Sequence, residues 1–350
     1  MHPVGIAIFG AGASGRQLAA ASYRVACDYK DDDDAPNLMT VVDRDGAKAA
    51  ELVHRFKFAR WRVQSAIVLE DQEVHLAVIS ERDTDRLMHA AANAGKRLHL
   101  ECHPFDKAID AELIGIVERA NVMVNVSYRH FTNPSIVLLR EMVASGELGT
   151  VIQIRARLTA GEGLSCVEGL SEQSAPSENS IKSAFLAVLA IARKVLGEIG
   201  AVSFRCGSQR ANPRHVALRF ESGANGTIEM CDAFLGAGPS FQIEIQGTRG
   251  AIAFNTYEPG FLRFQKRNGS VGIGEPGTVF PASSHFPSNV HWEFRNPHFS
   301  SIELKAIELA TLLGAKSASD PSFANLRDAL RIQALINAAL ADARSHPFAV

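Results

Sequence analysis

Three glycines near the start of the chain limit its fold more than any other feature. Gly10-Ala11-Gly12-Ala13-Ser14-Gly15 follows a short apolar run, residues 4–9, and precedes an alanine-rich helical stretch, residues 16–25. Strand, glycine turn and helix in that order suit a backbone wrapped around a pyrophosphate. Gly10 permits the tight turn, Gly12 lets the backbone approach the phosphates, and Gly15 lets helix and strand pack closely. The helix start then offers free N–H groups and the positive end of its dipole. The bland alternative is a glycine turn that holds no ligand.

The first third of the chain goes on alternating. Residues 38–42, 66–69, 76–79, 98–100 and 122–126 read as strands, with helices at 86–94 and 108–120. Alternation of this kind implies parallel strands joined by crossover helices. After Gly149 the pattern changes. Ile152, Ile154, Ala156 and Leu158 alternate with polar residues, as do Val216, Leu218 and Phe220, and Phe241, Ile243 and Ile245. Period 2 with one wet face points to an antiparallel sheet. Helices are expected at 181–196, 302–313 and 323–341, the last opened by Asp320 as N-cap and Pro321 at the first helical position. Residues 165–180 and 268–289 read as long loops, and no internal repeat is visible.

An acidic partner for the glycine loop is expected about 20 residues on, at the end of the second strand. Asp43 ends that strand but lies 33 positions past Gly10. The excess matches an acidic stretch, Asp28-Tyr29-Lys30-Asp31-Asp32-Asp33-Asp34, which resembles the start of a common epitope tag. Whether native loop or insertion, it should be solvated and mobile. Asp28 precedes the strand and is rejected as the partner. Asp43 would accept from a ribose 2′-hydroxyl and favour NAD; the adjacent Arg44 could pair with a 2′-phosphate, which keeps NADP open. A plain surface turn at 43–45 is the alternative.

Composition narrows the classes. The 350 residues are 46% hydrophobic and 21% charged, with 36 Lys+Arg against 38 Asp+Glu. This is globular composition, with no basic excess for nucleic acid. No apolar run approaches the roughly 18 residues of a membrane helix. Met1-His2-Pro3 shows no charged leader region or cleavage site, so no secretory signal is expected. Five cysteines without Cys-x-x-Cys spacing fit a reducing cytoplasm.

The motifs taken together resemble the Gfo/Idh/MocA oxidoreductase family over nearly the whole chain. They are the glycine loop, Val41-Val42-Asp43-Arg44-Asp45, Ala94-Gly95-Lys96, Glu101-Cys102-His103-Pro104, Tyr128-Arg129-His130-Phe131, Ser145-Gly146-Glu147-Leu148-Gly149 and Gly247-Thr248-Arg249-Gly250. The resemblance implies an α/β protein. An N-terminal Rossmann domain with a parallel sheet, residues 1–126, would precede an α/β domain with an open, mostly antiparallel sheet and C-terminal helices, residues 127–350. It further implies NAD or NADP between the domains, a small-molecule substrate and a homo-oligomer, dimer or tetramer. The implied cofactor-binding residues are Gly10, Ala11, Gly12, Ser14, Gly15, Asp43, Arg44, Ser80 and Glu101.

The family's usual chemistry needs a general acid/base within hydrogen-bond reach of a substrate hydroxyl. The family supplies it from Glu-Lys-Pro and from an Asp-x-x-x-His pair on a second-domain helix. Here Glu101-Cys102-His103-Pro104 has no lysine, and Ser183 and Ala187 stand where the pair would be. No aspartate occurs from Ala111 to Cys231 and no histidine from Phe131 to Arg214. The biliverdin reductase branch, with Glu-Tyr-Pro and no such pair, is loosely similar; its substrate takes hydride at an electrophilic carbon. Candidate catalytic residues are therefore His103, Arg129 and His130. His103 could move a proton near neutral pH or merely fix a strand end. Arg129 could grip a carboxylate or make a structural salt bridge. Cys102 is better read as inert and Lys182 as an exposed lysine. His285, His291 and His298 fit no compact metal motif, so no metal is assigned. Three readings stand: an atypical NAD(P)-dependent reductase, a non-redox lyase or cyclase on the same scaffold, and a catalytically silent sensor.

Overall fold

The computed structural model describes residues 3–31, 33–80, 84–101, 110–128, 130–159, 178–206, 214–231, 240–268, 272–273, 277–279, 281–292, 299–317 and 322–345. The chain forms two compact units. The first comprises Met1–Ser127, Phe286–Arg295 and Phe299–Leu330; the second comprises Tyr128–His285, Asn296–His298 and Arg331–Val350. The sequence division at 126/127 assigned everything after it to the second domain. By packing, the segment around 299–330 belongs with the first.

The first unit is built on β1 (Gly5–Phe9), β2 (Asn37–Val42), β3 (Arg60–Arg62), β4 (Leu76–Ile79), β5 (Arg97–Leu100) and β6 (Val124–Val126). They form one parallel sheet in the order β3-β2-β1-β4-β5-β6. Every residue of β1 and β4 is buried, as a strand covered on both faces requires. The crossovers are α1 (Ala13–Cys27), α2 (Gly46–Phe56), α3 (Ser65–Glu70), α4 (Thr84–Asn93) and α5 (Ala111–Arg119). Residues 66–69, expected as a strand, lie in α3. A short apolar run does not by itself distinguish strand from helix, and the strand of this region is the polar Arg60-Trp61-Arg62.

The acidic stretch is anchored at its start. Tyr29 bridges antiparallel to Val290. Lys30 N–H donates to the Asn289 carbonyl at 3.1 Å, and His291 N–H to the Asp28 carbonyl at 2.7 Å. Asp31 and Asp33 are solvated as expected, but residues 28–30 are held against the unit. Tyr29 packs on its core, which the aspartate run concealed.

The second unit begins with α6 (Pro134–Ala144), capped by Asn133 with proline at the helix start. Its sheet runs β14 (Gly272–Ile273), β13 (Leu262–Asn268), β12 (Gly250–Asn255), β11 (Ser240–Gly247), β7 (Val151–Thr159), β10 (Asn225–Cys231), β9 (Arg214–Phe220), β8 (Ile199–Cys206), with β15 (Gly277–Val279) paired to β13. All pairs are antiparallel except β7–β10. Residues 268–289 therefore contain two short strands and a 3₁₀ turn, Ser283–His285, rather than one long loop. α7 (Glu178–Leu196) carries a run, residues 185–192, in which every side chain is buried.

Two C-terminal helices complete the chain. α8 (Ser301–Gly314) opens with a full capping box, Ser300 with Glu303. It packs on α1 in the first unit, where Leu309, Ala310 and Leu312 join Leu18, Ala19 and Val25. α9 (Leu326–Ser345) starts later than the sequence suggested. Asn325 and Asp328 exchange side-chain and backbone hydrogen bonds at 3.0 Å and so cap it. Asp320 and Pro321 lie outside the described residues, while Phe323 and Ala324 are buried ahead of the helix. The unit division falls within α9 at Leu330/Arg331. Beyond it, Asp342 accepts from Ser203 Oγ, Phe204 N–H and Arg205, which covers the outer edge of β8.

Candidate functional site: a glycine cradle at the ends of the parallel strands

β1 ends at Phe9, and Gly10 turns the chain with φ 104°, a conformation that costs glycine little. Gly15 then lies against that turn. A Cβ on it would stand 1.8 Å from the Gly10 carbonyl oxygen, so no other residue lets α1 approach β1 this closely. Gly12 differs: a Cβ there would meet no atom of the described residues within 4 Å. Its lack of a side chain therefore leaves open space beside the helix start rather than serving packing. Gly12 is also the N-cap of α1. Among the described residues no side chain caps this helix, and no acidic residue lies in its first turn, which leaves its leading N–H groups facing outward as an anion would need. These features fit the pyrophosphate of a dinucleotide.

The flanking residues hold the cradle in shape. Asp43 follows β2, as expected from the sequence. Its Oδ2 accepts from Ala11 N–H at 2.5 Å and its Oδ1 from Asp45 N–H at 2.8 Å. It thus clamps the glycine loop to the end of the neighbouring strand while presenting negative charge there. Arg44 is exposed beside it. Ser80, at the end of β4, donates to the carbonyls of Phe9 and Gly10, each at 3.1 Å, and so braces the turn. Glu101, at the end of β5, lies near α1: Ser14 Oγ is 3.4 Å from its Oε1.

Glu101 opens a polar ladder that the sequence reading missed. Lys305, from α8, pairs with Glu101 Oε1. His99 Nε2 stands 3.8 Å from Glu101 Oε2, too far for a hydrogen bond. Asn125, the register partner of His99 on β6, donates to His99 Nδ1 and to Glu308 Oε1, both at 3.0 Å. Ser127 Oγ donates to Glu308 Oε2 at 2.8 Å. Burial alone would push the Glu101 carboxyl up; the neighbouring His99 ring and the Lys305 ammonium outweigh it and hold the group well below the usual carboxylate range. One local signal existed: His99 and Glu101 alternate on one face of β5, and Lys305 and Glu308 sit three apart on α8. Nothing local linked the two pairs.

Of the expected catalytic residues, His103 and Arg129 lie outside the described residues, as do Cys102 and His298. His130 belongs to the second unit. It adopts φ 68°, and its ring packs on Phe241 and Phe254 with centroids 5.8 and 5.9 Å away. Ala187 is buried in α7; of the Lys182 and Ser183 side chains nothing is described. His285 accepts from Ala282 N–H at 2.8 Å through Nδ1, and its Nε2 contacts Glu141 at 3.0 Å. His291 uses its backbone N–H on Asp28. Among the described residues no three His, Cys, Asp or Glu side chains gather as metal ligands, and no helix is long and apolar enough to cross a membrane.

The fold and the cradle define a class: a Rossmann-type parallel unit followed by a unit with an open, mostly antiparallel sheet. This is the fold that the resemblance to the Gfo/Idh/MocA oxidoreductases implied. No family model matches the sequence. The chain is 21% identical over 294 residues to levoglucosan dehydrogenase of Pseudarthrobacter phenanthrenivorans, covering 73% of this chain and 74% of that protein. The structure of levoglucosan dehydrogenase in complex with NADH superposes with a TM-score of 0.79 at 19% identity, covering 97% and 98% of the two chains. An NAD binding oxidoreductase from Klebsiella pneumoniae gives 0.80 at 20% identity, covering 98% and 97%.

The ladder yields a pH prediction. Because the folded carboxyl of Glu101 lies below its ordinary 4.5, its ionised form stabilises the fold above that pH, and the contribution is lost as pH falls from 4.5 through the depressed value. Glu101→Gln should flatten the acid limb of stability, read by urea denaturation between about pH 2.5 and 5. At neutral pH it should cost about 3 kcal/mol, because Lys305 is left without its partner. An unchanged acid limb would contradict the assignment.

Proposed function

We propose that the protein is an NAD(P)-dependent oxidoreductase of the Gfo/Idh/MocA type acting on a small molecule. The observation that carries this reading is Gly12: an uncapped helix start with open space where a side chain would stand, beside a carboxylate at the end of β2. Gly10, Ala11, Gly12, Ser14 and Gly15 would hold the pyrophosphate, braced by Ser80, with Asp43 toward the adenosine ribose. The bound nicotinamide would supply hydride chemistry. The NADH complex of levoglucosan dehydrogenase, a protein of the same fold, supports the choice of ligand. Gly12→Val should leave the melting temperature nearly unchanged and abolish NADH binding by calorimetry. Gly15→Ala should instead destabilise the fold through its clash with the Gly10 carbonyl. Full NADH affinity in the Gly12 variant would refute the reading.

NAD is the preferred dinucleotide in this proposal, because the ionised Asp43 would repel a 2′-phosphate. Asp43 also clamps Ala11, so replacing it by a residue with no amide or carboxyl oxygen would loosen the loop as well. Asp43→Asn keeps an oxygen for the Ala11 N–H and removes the charge. It should narrow the preference for NADH over NADPH by roughly tenfold, about 1.4 kcal/mol, in competition binding. Tighter NADPH than NADH binding by the unaltered protein would overturn the preference and give Arg44 the deciding role.

The substrate is proposed to accept hydride at an electrophilic carbon, with no alcohol to deprotonate. The support is the buried, wholly apolar run 185–192 of α7 and the absence of any aspartate from Ala111 to Cys231. His103, Arg129 and His130 remain the proposed sources of a proton or of substrate contacts. General acid–base catalysis typically contributes ~10²–10⁴-fold, so oxidation of simple sugars and polyols with NAD should be correspondingly slow in a substrate panel. Rapid polyol turnover would mean that another base has been recruited. The protein is further proposed to act in the cytoplasm as a homo-oligomer.

A further inference from the structure

Besides Asp43, which grips the glycine loop at the β2 side, a second carboxylate, Glu101, lies beside the start of α1, where the phosphates are proposed to sit. Its Oε1 is 3.4 Å from Ser14 Oγ, in the first turn of a helix whose start offers its N–H groups to phosphate. The carboxylate is largely buried, with 17% of its side chain exposed, so solvent screens it poorly. Unopposed, it would repel the ligand that the glycines are shaped to hold.

The groups facing it come from three elements. Ser14 of α1 is neutral. His99 of β5 stands 3.8 Å from Oε2, and its Nδ1 accepts from Asn125, which leaves the ring proton on Nε2. Lys305 of α8 brings an ammonium onto Oε1. Among the described residues, the other charges nearby are engaged elsewhere. Glu308 is held by Asn125 and Ser127, Glu303 pairs with Arg24 at 3.2 Å, and Arg16 pairs with Glu51 at 2.5 Å. Among the described residues, the cation that reaches Glu101 is Lys305.

We infer that Lys305 is the counter-ion of the glycine cradle, a positioning residue that neutralises Glu101 so that the start of α1 accepts a pyrophosphate. This rests on the dinucleotide reading and assigns to it a residue some 290 positions away from the glycine motif. Lys305 need not touch the ligand. It acts through Glu101, and its effect is electrostatic.

The consequence is a pH dependence in the variant that the intact protein lacks. With both charges present the pair is neutral across the working range, so anion affinity should be flat. In Lys305→Met the carboxylate keeps the His99 ring beside it but loses the ammonium, so burial is opposed less and its pKa rises. At low pH it is protonated and the cradle binds normally; as pH rises it ionises and repels the phosphates. ADP-ribose is the probe, because it carries the pyrophosphate without the charged nicotinamide ring. Calorimetry from pH 5 to 8.5 should show the unaltered protein changing less than about twofold. Lys305→Met should weaken roughly tenfold or more toward high pH. Lys305→Arg should remain flat, and Lys305→Met combined with Glu101→Gln should be flat again. If Lys305→Met does not fold, Glu101→Gln alone decides: it leaves the ammonium unopposed and should tighten ADP-ribose severalfold.

Equal affinity of Lys305→Met and the unaltered protein at every pH would overturn the inference while leaving the dinucleotide reading intact. A pH slope that persists in the double variant would overturn it too, because a group other than Glu101 would then be responsible. If the unaltered protein binds neither ADP-ribose nor NADH, the dinucleotide reading falls and this inference falls with it.

Discussion

The approach of Gly15 to the Gly10 carbonyl governs the first unit. A single methyl group at Gly15 would stand 1.8 Å from that oxygen, so the distance between α1 and β1 depends on its absence. From this contact follow the direction of α1 and the position of its uncapped start. The same contact lets Ser14 reach Glu101 at the end of a strand two places away in the sheet. The neighbours then lock the turn from both sides. Asp43 pulls on the Ala11 N–H from β2, and Ser80 holds the Phe9 and Gly10 carbonyls from β4. The turn is thus hydrogen-bonded from both neighbouring strands, which would lower the ordering cost of binding in the proposed reading.

Behind the cradle, the face of β5 and β6 that meets α8 is polar although buried. His99, Asn125 and Glu308 are each less than a tenth exposed, and such groups cost several kcal/mol unless paired. Asn125 meets this by using both of its amide protons, one on each neighbour. The arrangement also fixes the register of α8. Sliding the helix by one turn would take Lys305 from Glu101 and Glu308 from Asn125 and Ser127 together. An apolar interface would tolerate such a slip far better, so the ladder specifies position at some expense of stability.

Much of this was legible in the sequence where the signal was local. The glycine loop, the placement of Asp43 after β2 despite the 33-residue spacing, and the change from parallel to antiparallel patterning after Gly149 all rest on neighbouring residues. The misread elements are those whose local pattern is ambiguous. Residues 66–69 are apolar in either a strand or a helix, and Asp320-Pro321 imitated a helix start that Asn325 and Asp328 actually supply. The acidic stretch hid Tyr29, whose packing depends on Val290 and Asn289. Lys305 was invisible for the same reason. Its meaning depends on Glu101, 204 residues earlier in the chain, and no periodicity joins the two.

That separation couples the cradle to the end of the chain. Residues up to Ser127 contain the whole parallel sheet and every glycine of the loop, but not the cation that faces Glu101. The apolar side of α8, with Leu309 and Leu312 fully buried against Leu18 and Val25, supplies the force that docks the helix, and the ladder sets where it docks. A chain folded only through β6 would present the carboxylates of Asp43 and Glu101 around an anion site with neither α8 nor its lysine in place. Contacts of such long range form late, after the entropy of closing the intervening chain has been met. In the proposed reading, the cradle therefore needs α8 docked as well as its own glycines, so the site belongs to the completed fold rather than to its first half.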